Sequence, residues 1–192
     1  MQSNCDEKFK IEKMSINDID LLVNLHAKYL NYGEGVRAHF EAALNDNSTV
    51  ATKCVCDGEM IGIDIYTSGI SLSGDHPDIL KMLEMKTLGR VVYTADALFV
   101  KESFRKMGAT EMLRLSSKDA LVKKGAEVAI HELWVHPDGS VPAFNVVKSF
   151  SSTEFIGRFK MFYENFHHYG YFCTMCKGVC QCSADIYITQ IP

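Results

Sequence analysis

Apolar residues along this chain recur at two spacings, the two-residue period of strands and the 3.6-residue period of helices. The alternating run Phe9 to Lys13 predicts a first strand. Ser15, with Asp18 three residues later, is typical of a helix N-terminus. Residues 19–30 then carry apolar positions at helical spacing, and residues 36–44 predict a second, short helix. The chain is therefore expected to open with a strand followed by two helices.

The next region contains a strong hairpin signal. The pair Asp57-Gly58 separates two β-rich runs, Thr49–Cys56 and Glu59–Tyr66. Asp-Gly tolerates the positive φ angles of a tight turn, so these runs are predicted to pair as antiparallel strands. Residues 69–90 have a weaker pattern, and we interpret them as an insertion with a short helix opening at Pro77.

The second half of the chain predicts a strand, a long helix, a strand, a final helix and a closing hairpin-like pair. These elements are Val91–Val100, Phe104–Lys124 ended by Gly125, Glu127–Val135, Ser152–His168, and Tyr171–Met175 with Ala184–Ile191. No G-x-G-x-x-G run occurs, which argues against a dinucleotide fold. The predicted fold is α/β, one domain over residues 1–192 with a mixed, mostly antiparallel sheet flanked by helices. It carries the insertion at about 69–90 and a Cys-rich C-terminal hairpin at 171–191.

Composition narrows the class of protein. The 192 residues are 47% hydrophobic and 23% charged with a net charge of -4, which is typical of one globular domain and argues against a nucleic-acid partner. No apolar run reaches the ~18 residues that span a bilayer, and the polar N-terminus shows no signal-peptide core. We therefore expect a cytoplasmic protein without a membrane partner, whose cysteines are reduced.

Candidate chemistry concentrates in residues 97–135, which have the pattern strand, basic glycine-containing turn, helix, strand. A helix start offers unpaired backbone N–H groups and a favourable dipole to an anion. Lys101, Arg105 and Lys106 add positive charge, and Gly108 lets a ligand approach the backbone closely. On these residues alone, a pyrophosphate site and an ordinary helix start with solvated lysines both remain open.

The same segment resembles the acetyl-CoA-binding motif of the GNAT (general N-acetyltransferase) superfamily, a strand, then R/Q-x-x-G-x-G/A, then a helix. The matching run is Arg105-Lys106-Met107-Gly108-Ala109-Thr110, in which Thr110 departs from the family's small residue. The Asp57-Gly58 hairpin is similar to the family's second and third strands. Residues 162–171 are similar to its late tyrosine-containing pattern.

The resemblance implies direct transfer of an acetyl group from acetyl-CoA to an amine acceptor, hence an acyl-CoA-dependent N-acyltransferase. It implies that the backbone of one strand end pairs with the pantetheine arm. The amides of the following turn would hold the pyrophosphate, and the sheet would open beside Val100. The cofactor-binding residues so implied are Leu98, Phe99, Val100, Arg105, Lys106, Met107, Gly108, Ala109 and Thr110.

Proton transfer needs a base and an acid. The family's place for the base falls near Thr94, which has no basic group. Asp96 lies two residues on and would share the face of Thr94 in a regular strand, so it is our candidate. Glu132 and His131 on the next strand are rival bases, although a structural role is expected for His131.

For the general acid, the family's place in the late helix falls at Phe166. Tyr163 lies one helical turn earlier and is the candidate, with packing among phenylalanines as the other interpretation.

Four cysteines, Cys173, Cys176, Cys180 and Cys182, form a C-x2-C-x3-C-x-C pattern. Four thiols at such spacing could bind zinc, and partly buried free thiols are the other interpretation. Oxidised samples could also form a disulfide. The remaining cysteines have no companion pattern and are predicted to be structural; they are Cys5, Cys54 and Cys56.

Three functions stay open: an N-acetyltransferase, a GNAT-like binding or interaction module that has lost catalysis, with or without stabilisation by zinc at the C-terminal cysteine cluster, and a zinc-stabilised interaction protein. The acceptor would be an amine on a small molecule or a protein. Residues 69–90 and 136–151 are expected to shape its site, because function varies most in loops. A homodimer is the default assembly.

Overall fold

The structure is a computed structural model that describes residues 9–148, 150, 152–176 and 178–192. The predicted structural role of Cys5 lies outside the described residues. The strands are Phe9–Lys13 (β1), Asn31–Tyr32 (β2), Val50–Cys56 (β3), Glu59–Ser68 (β4), Val92–Val100 (β5), Val128–Val135 (β6), Thr153–Phe159 (β7), Phe172–Cys173 (β8) and Ser183–Gln190 (β9). The helices are Ile19–Tyr29 (α1), Glu34–Asn45 (α2), Pro77–Lys86 (α3), Ala109–Lys123 (α4) and Phe144–Val147 (α5).

Seven strands form one sheet in the order β1-β3-β4-β5-β6-β9-β7, and β2 pairs with β8 in a separate ribbon. Every pairing in the large sheet is antiparallel except that of β5 with β6, which is parallel. The predicted class, a mostly antiparallel mixed sheet flanked by helices, is thereby confirmed.

The first half of the chain folds as its local signals predict. Ser15 and Asp18 form a reciprocal capping box at a single 3-10 turn that leads into α1. The hairpin of β3 and β4 turns at Asp57 and Gly58, which have φ angles of 52° and 81°. Residues with short or absent side chains bear this left-handed backbone at the least cost.

Helices cover both faces of the sheet. On one face, α1 and α2 contribute Leu22 and Phe40, which pack against Ile63, Ile65 and Phe99 of the central strands. On the other face, Leu113 of α4 packs in a cluster with Val100. Phe99 and Val100 are adjacent in β5, so their side chains point to opposite faces. Each fully buried aliphatic side chain contributes about 1.5–3 kcal/mol of transfer free energy.

The predicted final helix at Ser152–His168 is wrong. Residues 153–159 are strand β7, which pairs antiparallel with β9 at the edge of the large sheet. Phenylalanines recur here at helical spacing, but Gly157 weakens a helix, and β9 would otherwise leave its ladder groups unpaired. Beyond β7, residues 166–169 form only a short 3-10 turn.

One helix boundary and one strand pairing also differ from the prediction. The long helix begins at Ala109 instead of Phe104, because residues 102–104 form a 3-10 turn and Lys106 and Gly108 take positive φ angles. The strands predicted to close the chain as a hairpin do not pair with each other: β8 pairs with β2, and β9 lies between β6 and β7.

None of the helices in the described parts of the chain combines the length and apolar character needed to cross a membrane.

Candidate active site

The parallel strands β5 and β6 separate part-way along their length. They pair from Val92 with Val128 to Ala95 with His131, and no further pair follows between them in the described residues. From Ala97 to Val100, β5 pairs only with β4 on its other side. One backbone edge at Leu98 to Val100 therefore faces the opening, as the resemblance implied. The opening holds a slot of about 140 Å³.

Asp96 lies in a β-bulge at the mouth of this opening. Ile65 pairs with Ala97 and Tyr66 with Ala95, so Asp96 is the extra residue on β5. A bulge re-aims a side chain and ends regular pairing. The prediction for Asp96 assumed a regular strand, which the structure does not have here. Asp96 and Thr94 nevertheless both line a second, wider cavity beside the slot, the wide cleft.

The Asp96 carboxylate lies against a histidine from α2. His39 Nε2 is 2.7 Å from Asp96 Oδ2, and both side chains are partly buried. Burial lowers the pKa of His39, but the hydrogen bond and the charge of Asp96 outweigh it, and the net pKa is raised. The pair thus joins a carboxylate and an imidazole that can share a proton at the cleft.

Glu132 and Tyr163 form a second polar pair. The backbone N–H of Ser73 donates to Glu132 Oε2 at 2.9 Å, and the Tyr163 hydroxyl hydrogen-bonds the same carboxylate. Burial raises the pKa of Glu132. Burial, together with the Glu132 charge, raises the pKa of Tyr163 well above its usual value and keeps its hydroxyl protonated. Tyr163 lies after β7 in a turn, so the helical register used to predict it was wrong, although the residue reaches the slot.

Two cavities meet at these groups. The slot between β5 and β6 adjoins the wide cleft of about 620 Å³, and both are lined by Asp96 and Glu132. Tyr163 lines only the slot, whereas His39 lines only the wide cleft. The three predicted catalytic side chains, Asp96, Glu132 and Tyr163, are thereby brought together although they come from distant parts of the sequence.

The turn between β5 and α4 presents its backbone to solvent. Among the described residues, no hydrogen-bond acceptor lies against the amides of residues 106–111. Gly108 has a φ of 90°, and a methyl group added there would meet nothing within 4 Å. These orphan donors at the start of a 15-residue helix are suited to an anion.

The charges around this turn are not equally available. Lys101 is ion-paired with Glu59, so less of its charge reaches an anion than the sequence indicated. Arg105 donates from Nε to the carbonyl oxygen of Val100 at 3.2 Å, and its guanidinium lies 5.7 Å from the ring centre of Tyr29. Arg105 is thereby held between the end of β5 and the turn, and Lys106 is exposed.

A buried polar cluster lies between the sheet and α4. Asp64 is 1% exposed, and its burial raises its pKa to about 7 against the opposing effects of Ser117 and Arg114. His131 is hydrogen-bonded to Thr189 at 2.9 Å, and burial with the charge of Arg114 lowers its pKa to about 3. A neutral, satisfied histidine fits the structural role expected for His131 and not that of a rival base.

The four clustered cysteines lie beside the slot. Their sulfur atoms all lie within 4.8 Å of one another, and Cys173 and Cys180 line the slot. These residues could hold a metal ion. Cys54 and Cys56 are buried in the sheet with the residues of α4, as expected of structural cysteines.

His39 and Ser73 are the site residues that sequence reasoning missed. His39 meets Asp96 across 57 positions, and Ser73 meets Glu132 across 59 positions. Both residues lie in segments with no chemical motif. A histidine on the otherwise apolar face of a short helix was the one available signal for His39.

The chain has a mixed sheet that opens between its two parallel strands, next to a turn whose amides have no acceptor among the described residues, and solved N-acetyltransferase structures share this fold. Arabidopsis thaliana NAA60 in complex with acetyl-CoA superposes with a TM-score of 0.66 at 16% identity, covering 95% of this chain and 98% of that one. The ribosomal-protein-S18-alanine N-acetyltransferase from Escherichia coli has a TM-score of 0.61 at 12% identity, with 95% and 94% covered. An N-acetyltransferase from Staphylococcus aureus has a TM-score of 0.63 at 10% identity, with 96% and 99% covered.

No protein-family model matches the sequence, and no curated protein matches it. At these low identities the likeness concerns the fold.

Proposed function

We propose that this protein transfers an acetyl group from acetyl-CoA to the nitrogen of an amine acceptor. One observation carries the proposal: the opening between β5 and β6 lies directly beside the turn whose amides at 106–111 have no acceptor in the described chain. One strand edge suits the pantetheine arm and the neighbouring helix start suits the pyrophosphate. The solved structures with this fold include one bound to acetyl-CoA.

Side chains of this protein would carry out the two proton transfers that the reaction needs. Asp96 stands where the slot meets the wide cleft, so it can take the proton from an entering ammonium, with His39 as its partner. Tyr163 stands inside the slot with its hydroxyl protonated and can protonate the departing thiolate. Glu132 holds that hydroxyl and is the second carboxylate at the junction.

The wide cleft favours a positively charged acceptor. Its described lining contains the carboxylates Asp75, Asp96 and Glu132, of which Asp96 is paired with His39, and it contains no lysine or arginine. Two tyrosines, Tyr169 and Tyr171, add aromatic faces that attract cations. A primary amine, on a small molecule or at the end of a peptide, is the acceptor class that this lining suits.

The test is calorimetric titration with acetyl-CoA. Wild type should bind saturably, and Gly108→Glu should weaken binding about 30-fold or more, because a carboxylate would occupy the anion site. Gly125→Glu is the matched control, since Gly125 ends the same helix with a φ of 74° and equal open space. The control variant should keep wild-type affinity.

Wild-type protein that does not bind acetyl-CoA at millimolar concentration would refute the proposal. Equal affinity in Gly108→Glu and wild type would place the cofactor elsewhere. Saturable binding without an acetylated product, across a screen of amines and peptides read by mass spectrometry, would favour a binding module that has lost catalysis.

A further inference from the structure

The sulfur atoms of Cys173, Cys176, Cys180 and Cys182 all lie within 4.8 Å of one another, and two of their distances match those of a tetrahedral metal site. Cys182 Sγ lies 3.9 Å from Cys173 Sγ and 3.8 Å from Cys176 Sγ. Zinc bound to four thiolates at ~2.3 Å per bond places neighbouring sulfurs ~3.8 Å apart. A disulfide needs sulfurs ~2.05 Å apart, so the arrangement corresponds to ligands around a centre and not to bonded pairs.

Backbone amides point at two of these sulfurs. The N–H of Met175 donates to Cys173 Sγ at 3.3 Å, and the N–H of Gln181 donates to Cys176 Sγ at 3.4 Å. Such N–H···S bonds stabilise the negative charge that a thiolate must carry to bind a metal. The segment therefore supplies the four sulfur ligands and also backbone N–H groups that stabilise two of them.

Packing alone does not account for the cluster. Cys173, Cys180 and Cys182 belong to a buried apolar cluster, as small hydrophobic thiols often do, but their sulfur atoms and that of Cys176 also lie against one another. The same stretch has little regular structure in its described part, with only the two-residue strand β8. It also exposes 51% of Met175 and 59% of Val179. A short segment with so little regular structure typically needs a crosslink to hold its shape.

We propose that Cys173, Cys176, Cys180 and Cys182 bind one Zn²⁺ ion in a structural site. Four protein ligands fill the tetrahedral shell and leave no open position for a substrate. The ion ties β8, and through it β2 between α1 and α2, to the first residue of β9. Because Cys173 and Cys180 also line the slot, the ion fixes part of the slot's wall. This inference does not depend on acetyl transfer.

The experiment measures metal in the untagged, full-length protein by inductively coupled plasma mass spectrometry. We expect about one zinc per chain in wild type and a loss of at least five-fold in Cys176→Ser, the most exposed ligand. Cys54→Ser is the matched control, because Cys54 is a buried cysteine of β3 outside the cluster. It should retain the wild-type zinc content.

Two measurements on wild type keep the proposal testable if the variant fails to fold. Replacement of zinc by Co²⁺ should give the intense sulfur-to-cobalt charge-transfer band and the visible absorption of tetrahedral thiolate sites. A strong chelator should lower the Tm by about 5 °C or more, and added zinc should restore it.

Three results would overturn the assignment. The first is metal-free protein with four alkylatable thiols in the cluster and a Tm that neither chelator nor added zinc changes. The second is stoichiometric iron in place of zinc. The third is a pair of disulfides in protein kept under reducing conditions. Acetyl-CoA titration of the same sample reports on the cofactor site separately, so failure of either proposal is seen by itself.

Discussion

The two sides of the cleft are built in different ways. The side proposed to bind the cofactor (the cofactor side) is one continuous stretch, with β5, the turn at residues 101–108 and α4 following directly in sequence. The opposite side is assembled from α2, the loop at 71–75, Tyr163 and the cysteine segment, which are separate stretches of the sequence. A site made of consecutive residues leaves a motif in the sequence, whereas an assembled one leaves isolated residues.

The interactions on the two sides differ as well. The cofactor side offers backbone amides, which every residue but proline has. Its chemistry therefore depends on backbone conformation, in particular on the positive φ angles of Lys106 and Gly108. The assembled side offers side-chain pairs, His39 with Asp96 and Tyr163 with Glu132. Changes on the first side should therefore affect binding, and changes on the second should affect turnover.

The largest expected effect is a loss of turnover without a loss of cofactor binding, and it concerns Asp96, where the two sides of the cleft meet. Asp96→Asn keeps the size of the side chain but cannot accept the ammonium proton. We expect kcat with an amine acceptor to fall about 100-fold or more, while the Kd for acetyl-CoA changes less than about two-fold. Kinetics over a pH series and calorimetry on the same protein measure both quantities.

Glu132→Gln is the matched comparison, because it removes the rival carboxylate at the same junction. An Asp96→Asn variant with wild-type kcat and an unchanged pH profile would exclude Asp96 as the base. A larger loss in Glu132→Gln would transfer that role to Glu132.

The second effect concerns stability and tests the polar cluster beneath α4. The pKa of Asp64 is raised by burial to about 7 from 3.8, so the folded state binds a proton that the unfolded state has released between these values. Asp64 therefore adds a negative slope to the dependence of stability on pH in this window, and its own contribution falls by about 2 kcal/mol between about pH 5 and pH 7. Asp64→Asn should remove this slope.

Chemical denaturation at several pH values measures the Asp64 effect. The contribution of His131 to stability has the opposite sign. Its pKa is lowered to about 3 in the folded state, so the unfolded chain takes up a proton first as the pH falls below about 6.5, and stability falls with it. The stability gained from neutral His131 is thus present at neutral pH in both proteins and cancels in the comparison. Parallel slopes in wild type and Asp64→Asn would contradict an elevated Asp64 pKa.

The smallest expected effect concerns one cation on the cofactor side. Arg105→Ala should weaken acetyl-CoA binding about five-fold, near 1 kcal/mol, because an exposed charge at the turn adds modestly to the amides. Salt should reduce the difference. Lys123→Ala, at the far end of α4, is the control and should bind as wild type does.

A larger loss in Arg105→Ala than in Gly108→Glu would reverse the order proposed here and make the side-chain charge, instead of the backbone, the main holder of the pyrophosphate.

Local sequence was a reliable guide wherever neighbouring residues decide the structure. The capping box at Ser15, the turn at Asp57-Gly58 and the helix end at Gly125 are set by short-range sterics and hydrogen bonds, and all are found. The same reasoning misplaced residues 152–168, where phenylalanines at helical spacing lie in a strand and a turn. Pairing with β9 outweighed that pattern, because ladder hydrogen bonds depend on a partner distant in sequence.

The sequence by itself therefore determined the order of most elements, the glycine turn and the candidate residues of the site, because each rests on local backbone preference and side-chain chemistry. Only the tertiary structure decided that β5 and β6 separate after Ala95, that Asp96 is bulged toward His39, and that four cysteines converge. The physical reason is that register, bulges and convergence of side chains follow from packing between segments that no local pattern encodes.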